Sequence, residues 1–111
     1  MPLENFVMLN QMTSGNPKRG HFDRARLPDP LTYYVTELER LRPVGLNASA
    51  RCPFHDDAHP SLTVNLATGA FRCHVPECGA RGREVLDFHM ARYGLGFVAA
   101  AKELGAWSTT P

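Results

Sequence analysis

Two short clusters of metal-ligating side chains stand out in this sequence. In the first cluster, Cys52 and His55 are separated by two residues, and in the second, Cys73 and Cys78 are separated by four. Seventeen residues join the clusters, which is enough for a β-hairpin that brings the two pairs together. Thiolate and imidazole groups at such spacings are ligands of tetrahedral zinc. The pattern therefore predicts a Cys3His zinc site.

Four protein ligands would fill the coordination shell of the ion, so the predicted zinc is structural and we identify no catalytic residue. Two alternatives compete with this interpretation. The thiols could be buried without a metal, or Cys52 and His55 could be a nucleophile and its base. The spacing of both clusters favours a zinc site over buried thiols without a metal. Cys73 and Cys78 are placed to converge on the same point as Cys52 and His55, which favours a zinc site over a nucleophile and its base.

Two other histidines lie close to the clusters. His59 precedes Pro60 in a polar loop, where a solvated surface position is expected. His74 directly follows Cys73 on a predicted strand, so its side chain should point to the opposite face of the sheet. Because the gap in the second cluster is long, His74 stays open as a substitute ligand.

The composition is that of one small domain. The chain has 111 residues, with 12 Lys and Arg against 11 Asp and Glu, and its formal net charge is +1. This balance argues against a protein held to nucleic acid or a membrane by a global positive field, so any such binding must use a local patch. A metal would help to stabilise a core of this size.

The sequence predicts a cytoplasmic protein. No apolar run approaches the roughly 18 residues of a membrane span, and residues 1–12 lack the basic start and apolar run of a signal peptide. Three cysteines cannot all pair within one chain. In a reducing compartment, thiols spaced in this way bind metal more often than they form disulfides.

Three regions are expected along the chain. Residues 1–28 are rich in Asn, Gly and basic side chains without a sustained hydrophobic period, and we expect a flexible arm there. A domain is predicted over residues 29–107, followed by a tail at 108–111. The domain begins with a helix from Pro30 to about Leu41, since apolar residues recur at helical spacing after an Asp-Pro start.

The predicted zinc core spans residues 48–82. It starts with a short strand at 48–51 and continues as a hairpin with strands at 61–65 and 70–74, because polar and apolar residues alternate on both sides of a Gly-containing turn. Alternation places one set of side chains on the inner face of this hairpin. The inner set is Leu62, Val64, Phe71 and Cys73.

Two helices are predicted after the core, over residues 84–104. The first runs over residues 84–93 and the second over 97–104, and glycines end both of them. Neither helix is long enough to be stable alone, so both should dock on the apolar face of the hairpin. The predicted fold class is therefore α+β, a small antiparallel β-sheet flanked by short helices.

A longer stretch of the sequence resembles a known family. The run CPFHDDAHPSLTVNLATGAFRCH, followed by CGARG and VLDF, is similar to the zinc-binding domain of bacterial DnaG-type DNA primases and of phage, plasmid and integrative-element primases. The resemblance covers about Leu41 to Tyr93. It implies a zinc-ribbon fold whose metal is held by a Cys, a His and two Cys. These ligands correspond here to Cys52, His55, Cys73 and Cys78.

In such primases this domain helps to bind the single-stranded template and to select the initiation site, beside a separate domain that synthesises the primer. The present sequence departs from the family pattern in two places. Four residues rather than the usual two separate its last cysteines. The Gly-Gly-Asp that often precedes the last helix is Gly82-Arg83-Glu84 here, which adds a positive charge near the metal.

The resemblance and the basic residues together predict a module that binds single-stranded DNA in replication. Guanidinium groups contact phosphates, and four of them surround the zinc core in sequence. These arginines are Arg51, Arg72, Arg81 and Arg83. We expect Phe54 and Phe71 to lie in the core rather than to stack on bases. The alternative is a protein-interaction or regulatory module that keeps the zinc and does not bind DNA.

Primer synthesis needs divalent metals held by several carboxylates, and only Asp87 and Glu103 follow Glu84. The chain is therefore not expected to be catalytic alone. We expect it to act with a separately encoded primase polymerase domain or replicative helicase, in a bacterium, a phage or another mobile genetic element.

Overall fold

The computed structural model describes residues 20–56 and 59–109. The rest of the predicted arm, residues 1–19, and the last two residues of the predicted tail lie outside the described residues. Within the described ranges the chain forms strands, three α-helices and a short 3-10 helix. In chain order these are β1 (His21–Phe22), the 3-10 helix (Arg24–Arg26), α1 (Pro30–Glu37), β2 (Arg42–Val44), β3 (Asn47–Ala50), β4 (Leu62–Asn65), β5 (Phe71–Cys73), β6 (Arg81–Gly82), α2 (Val85–Tyr93), α3 (Phe97–Glu103) and β7 (Trp107–Ser108).

The strands form two antiparallel sheets. The larger sheet has the order β2-β3-β4-β5-β6, so each strand pairs with its neighbour in sequence. The smaller sheet pairs β1 with β7. This architecture confirms the predicted α+β class, in which short helices flank an antiparallel sheet. Over residues 20–56 and 59–109, no helix has the length and apolar character needed to cross a membrane.

The predicted hairpin corresponds to β4 and β5, and its register is the one that the alternation of side chains indicates. Leu62 lies opposite Cys73, and Val64 lies opposite Phe71. All four side chains are buried in one hydrophobic cluster with residues of the helices. The apolar face of the hairpin is therefore the floor of the core, as the sequence predicts.

An aromatic cluster fills the space between this sheet and the helices. Phe88 of α2 is fully buried at its centre. Its ring centroid lies between 5.2 and 5.9 Å from the rings of Tyr33, Tyr34, Phe54 and Phe71. Edge-to-face contacts at these distances stabilise a core beyond the area that they bury. Phe54 and Phe71 thus belong to the core, as expected.

A buried histidine joins the three helices. His89 of α2 lies with Nδ1 2.8 Å from the hydroxyl of Tyr33 on α1 and Nε2 2.7 Å from the carboxylate of Glu103 on α3. Both ring nitrogens therefore have a polar partner, which the burial of the ring requires. The helical periodicity of this segment does not reveal these contacts, because the partners lie far away in sequence.

Helix α1 ends earlier than the sequence predicts. Asp29 caps its N-terminus as expected, but Glu37 is its last residue and Leu38 is extended, with φ −118°. Four residues then reverse the chain before β2 begins, and Arg40 takes a left-handed φ of 59° within this turn. The predicted helix end at Leu41 is therefore wrong, because strand pairing overrides the local helical pattern.

Strand β2 is not predicted from the sequence, since Pro43 and Gly45 are typical of a loop. Proline lacks the N–H group of a ladder hydrogen bond, but β2 lies at the edge of the sheet, where one side needs no donor. Gly45, with φ 64°, makes the turn into β3. Edge position thus explains how a proline-containing segment forms a strand.

Residues 20–28 pack on the domain. Arg24 donates two hydrogen bonds of 2.9 Å to the carboxylate of Glu84, and the ring of Phe22 lies 5.2 Å from that of Phe97. Strand β1 in this segment pairs with β7, which consists of the last residue of the predicted domain, Trp107, and the first residue of the predicted tail, Ser108. This segment therefore differs from the expected flexible arm, and the domain boundary at residue 29 stays a prediction.

The aromatic cluster gives a test of the core. We expect Phe88→Ala to lower the free energy of unfolding by about 3–5 kcal/mol, because it leaves a cavity among four packed rings. Phe97→Ala is the matched control, since this side chain is 43% exposed. Denaturant unfolding of both variants with saturating zinc would measure the difference. Equal losses at the two positions would contradict the assignment of Phe88 to the centre of the core.

Candidate metal centre

The ends of two strands position the metal-ligating side chains. Cys52 lies just after β3, and Cys73 is the last residue of β5. His55 lies in the turn that follows Cys52, and Cys78 lies in the loop between β5 and β6. This loop is closed by hydrogen bonds from the Cys78 and Gly79 amides to the carbonyl of Val75, at 3.0 and 3.2 Å. Local turns therefore complete each pair of ligands.

The four predicted ligands converge on one point. Their ligand atoms all lie within 4.8 Å of one another. The Sγ atoms of Cys52 and Cys78 are 3.7 Å apart, and Cys73 Sγ is 3.4 Å from His55 Nε2. Tetrahedral zinc with bonds of about 2.3 Å to sulfur and about 2.0 Å to nitrogen separates its ligand atoms by roughly 3.5–3.8 Å. The donor set and its spacing fit a zinc ion.

The orientation of His55 also fits this role. Its Nδ1 lies 3.0 Å from the backbone carbonyl of Asp56, to which it can donate, and its Nε2 faces the thiols. A hydrogen bond from one ring nitrogen to a carbonyl fixes the tautomer that leaves the other nitrogen free to bind metal. Nothing in the sequence pattern indicates this carbonyl, since any residue could supply it.

The surroundings of the thiols act on their ionisation in opposite directions. Burial raises the pKa of Cys52, because a thiolate there would be desolvated. Burial also acts to raise the pKa of Cys73, but hydrogen bonds from Ser61, from the Val75 backbone and from His55 outweigh it and lower the pKa to about 7. The protein thus favours one thiolate, and the charge of a bound cation would ionise the others.

His74 is not part of the ligand set. Its Nε2 lies 2.8 Å from the hydroxyl of Thr63, on the opposite face of the sheet from Cys73. Among the described residues, the cluster that could hold an ion contains His55 and neither His59 nor His74. The longer loop between Cys73 and Cys78 therefore leaves the ligand choice unchanged. Four protein ligands close the tetrahedral shell, which is the arrangement of a structural zinc site.

The structure brings together three of the four arginines predicted to bind nucleic acid. Arg72, Arg81 and Arg83 line a groove of about 770 Å³ formed by β5, β6 and α2, here called the arginine groove. Arg51 lies apart from them, 3.5 Å from the carboxylate of Glu39 and beside the zinc ligands Cys52 and His55. The sequence could not separate Arg51 from the others, since all four are close to a ligand along the chain.

Comparison with known proteins identifies relatives of this fold and site. The CHC2 zinc finger family matches residues 27–110. A DNA primase of Helicobacter pylori is 41% identical over 86 residues, which are 78% of this chain and 15% of that protein. A DNA primase of Escherichia coli K12 is 40% identical over 67 residues, which are 60% of this chain and 11% of that protein.

A solved structure shares the fold. The crystal structure of the Aquifex aeolicus primase, with its zinc binding and RNA polymerase domains, matches with a TM-score of 0.58 and 31% sequence identity. The match covers 70% of this chain and 18% of the Aquifex chain. This chain therefore corresponds to a small part of the relatives that it matches.

Removal of the metal should unfold the zinc core. Structural zinc contributes on the order of 10 kcal/mol or more to the folding of small zinc modules, which is comparable with the whole stability of a domain. We expect EDTA to unfold residues 48–82. The strand signal of the protein in far-UV circular dichroism should then fall, and zinc addition should restore it. An unchanged spectrum after zinc loss has been verified by elemental analysis would contradict a structural role.

The choice of histidine can be tested with a matched pair. His55→Ala should lower zinc affinity by more than about 100-fold, because loss of a group that only hydrogen-bonds to a metal ligand already costs about 10–100-fold. His74→Ala should retain one zinc per chain, since its side chain contacts Thr63 on the other face. Zinc content after dialysis against a weak chelator measures both. Loss of zinc from His74→Ala alone would reverse the assignment.

Proposed function

Because the chain belongs to the CHC2 zinc finger family, we propose that it binds single-stranded DNA template as the zinc-binding module of a DNA primase. The chain carries the zinc-binding domain found in DNA primases. The structural zinc stabilises the sheet, and the outer face of this sheet contacts the DNA. The register of the sheet is the observation that carries this proposal.

The register aligns arginines across the outer face of the five-stranded sheet. Residues directly opposite each other in neighbouring antiparallel strands point to the same face. Starting at β2 and ending at β6, the successive partners form one line. This line, here called the arginine face, consists of Arg42, Ser49, Thr63, Arg72 and Arg81. It combines three cations with two hydroxyl groups, which are suitable contacts for phosphate and sugar.

Arg72 lies at the centre of the surface available to single-stranded DNA. It lines the arginine groove with Arg81 and Arg83, and a second groove with His74 beside the zinc loop. It also lines a third groove with Thr63. A single extended chain of nucleotides could therefore pass along the sheet and contact Arg72 from either side.

The arginines of the groove are available for a ligand. Within the described part of the chain, no carboxylate forms an ion pair with Arg72, Arg81 or Arg83, and all three residues are exposed. Arg51, by contrast, lies close to Glu39. Phosphates would thus gain interactions with cations that carry no competing partner. For this reason the proposed surface includes three of the four arginines and leaves out Arg51.

The binding should be weak and sensitive to salt. Neutralising three phosphates of a single strand gives a slope of about −2 in log affinity against log salt concentration. A net charge of +1 adds little long-range attraction. A module of this kind therefore needs a second attachment to the template to act in primer synthesis.

We assign that second attachment to a primase polymerase domain. The Aquifex primase structure combines zinc binding and RNA polymerase domains, and the matching region is 18% of that chain. In a complex of the two domains, each holds the same strand, and the effective concentration of the second contact raises the overall affinity. A replicative helicase that delivers the template would have the same effect.

Titration of a labelled single-stranded oligonucleotide at several salt concentrations tests the proposal. We expect zinc-loaded protein to bind with a slope of about −2, and Arg72→Ala to bind more weakly with a slope of about −1.4, since each phosphate contact contributes about 0.7. Arg83→Ala should behave in the same way. Fluorescence anisotropy measures the affinities, and zinc content confirms that each variant is folded.

Arg51→Ala is the matched control, because it removes the same charge at a position outside the arginine groove. Its salt slope should equal that of the unmodified protein. Equal effects of Arg51→Ala and Arg72→Ala would show that net charge rather than the groove governs binding. No binding by the zinc-loaded protein at low salt would refute the proposal and favour a protein-interaction module.

A further inference from the structure

We propose that the arginine groove accepts one unstacked base of the bound strand and favours bases with an exocyclic amino group, cytosine above all. This inference rests on the proposed function, since it concerns the same surface. It adds a base-selective element to a contact that would otherwise recognise only phosphates. The walls, the rim and one carboxylate of the groove carry the argument.

The walls of the groove are suited to a base. The apolar residues Met90, Ala91 and Leu95 line the groove together with Phe71. An unstacked base has two apolar faces that gain from contact with such surfaces. A groove for phosphate alone would need no apolar wall.

The arginines at the rim of the groove also belong to the surface along which the DNA strand is proposed to lie. Arg72 and Arg81 lie opposite each other in β5 and β6, on the arginine face, and they also line the groove. Arg83 continues this line of cations toward the start of α2. Phosphates held on both sides of one nucleotide would therefore place its base over the groove.

A carboxylate inside this basic groove has an unused acceptor. Asp87 Oδ2 accepts hydrogen bonds from the backbone amides of Arg83 and Glu84, at 2.9 and 3.2 Å, and these bonds fix the side chain. Within the described residues, Oδ1 of the same carboxylate has no hydrogen-bond partner. The backbone of Gly82 packs closely against this side chain, since a Cβ added at Gly82 would lie 2.6 Å from Asp87 Cβ.

The fixed carboxylate selects by hydrogen-bond chemistry. A carboxylate oxygen repels phosphate, so its presence among three arginines disfavours a purely electrostatic role for the groove. It accepts a hydrogen bond from the amino group of cytosine, which is the usual partner of Asp and Glu among bases. Thymine has no amino group, and its one Watson–Crick donor, N3–H, lies between two carbonyl oxygens that would be brought toward Asp87 with it. An acidic peptide is disfavoured for the same reason, because its carboxylates would also meet Asp87.

A comparison of two oligonucleotides tests the inference. The first is a short thymidine oligomer, and the second is the same oligomer with one central cytosine. We expect the zinc-loaded protein to bind the cytosine-containing strand about threefold to tenfold more tightly, the usual range for one hydrogen bond that the competitor lacks. Asp87→Asn should abolish or reverse this ratio, because the amide can still cap α2 through its oxygen but presents an N–H donor instead.

A second variant keeps the test valid if Asp87→Asn is unstable. Ala91 is an exposed residue on the apolar wall, and Ala91→Phe should fill the groove and remove the cytosine preference without affecting folding.

Equal affinity of the unmodified protein for the two oligonucleotides, or a preference that both variants retain, would overturn the base site while leaving phosphate binding intact. Failure of the unmodified protein to bind either strand would instead overturn the proposed function. Binding of an acidic peptide that competes with the thymidine oligomer would point to a protein partner and also overturn the base site.

Discussion

The coordination of one zinc ion by side chains from two separate strands is the constraint on which this domain depends. Cys52 follows β3 and Cys73 ends β5, and β4 lies between these strands in the sheet. The metal therefore links strands that share no hydrogen bonds. Cys52 and Cys73 also belong to the hydrophobic cluster, so metal binding and core formation stabilise each other.

Because side chains alternate along each strand, the two faces of the sheet carry different kinds of residue. The inner face carries the aliphatic and aromatic side chains that pack against Phe88, together with the zinc ligand Cys73. The outer face carries arginine and hydroxyl side chains at the intervening positions. Because side chains alternate between the two faces, a slip of one residue in the pairing of a strand would move the arginine on that strand to the core side. The proposed DNA-binding surface is thus a consequence of the same geometry that closes the metal site.

Polar contacts from the other helices and from the segment before α1 hold α2 in position. His89 links all three helices through Tyr33 and Glu103, and Arg24 holds the segment before α1 against Glu84 at the start of α2. Both contacts fix α2, which forms one wall of the arginine groove. The groove therefore depends on the packing of α2, whereas the arginine face depends on the sheet. In the proposed complex, the sheet would contact phosphates and the helix side of the groove would contact a base.

The amino-acid sequence was sufficient to predict the zinc ligands, the hairpin with its two faces, and the α+β class, because these features depend on spacings within a few residues or within one hairpin. It did not predict the early end of α1 or strand β2, where pairing with β3 overrides local preference. Nor did it predict the pairing of His21 with Ser108, which joins opposite ends of the domain. The arginine groove and the exclusion of Arg51 from it were decided by tertiary structure alone, since contacts between distant segments determine which neighbouring charges face the same solvent.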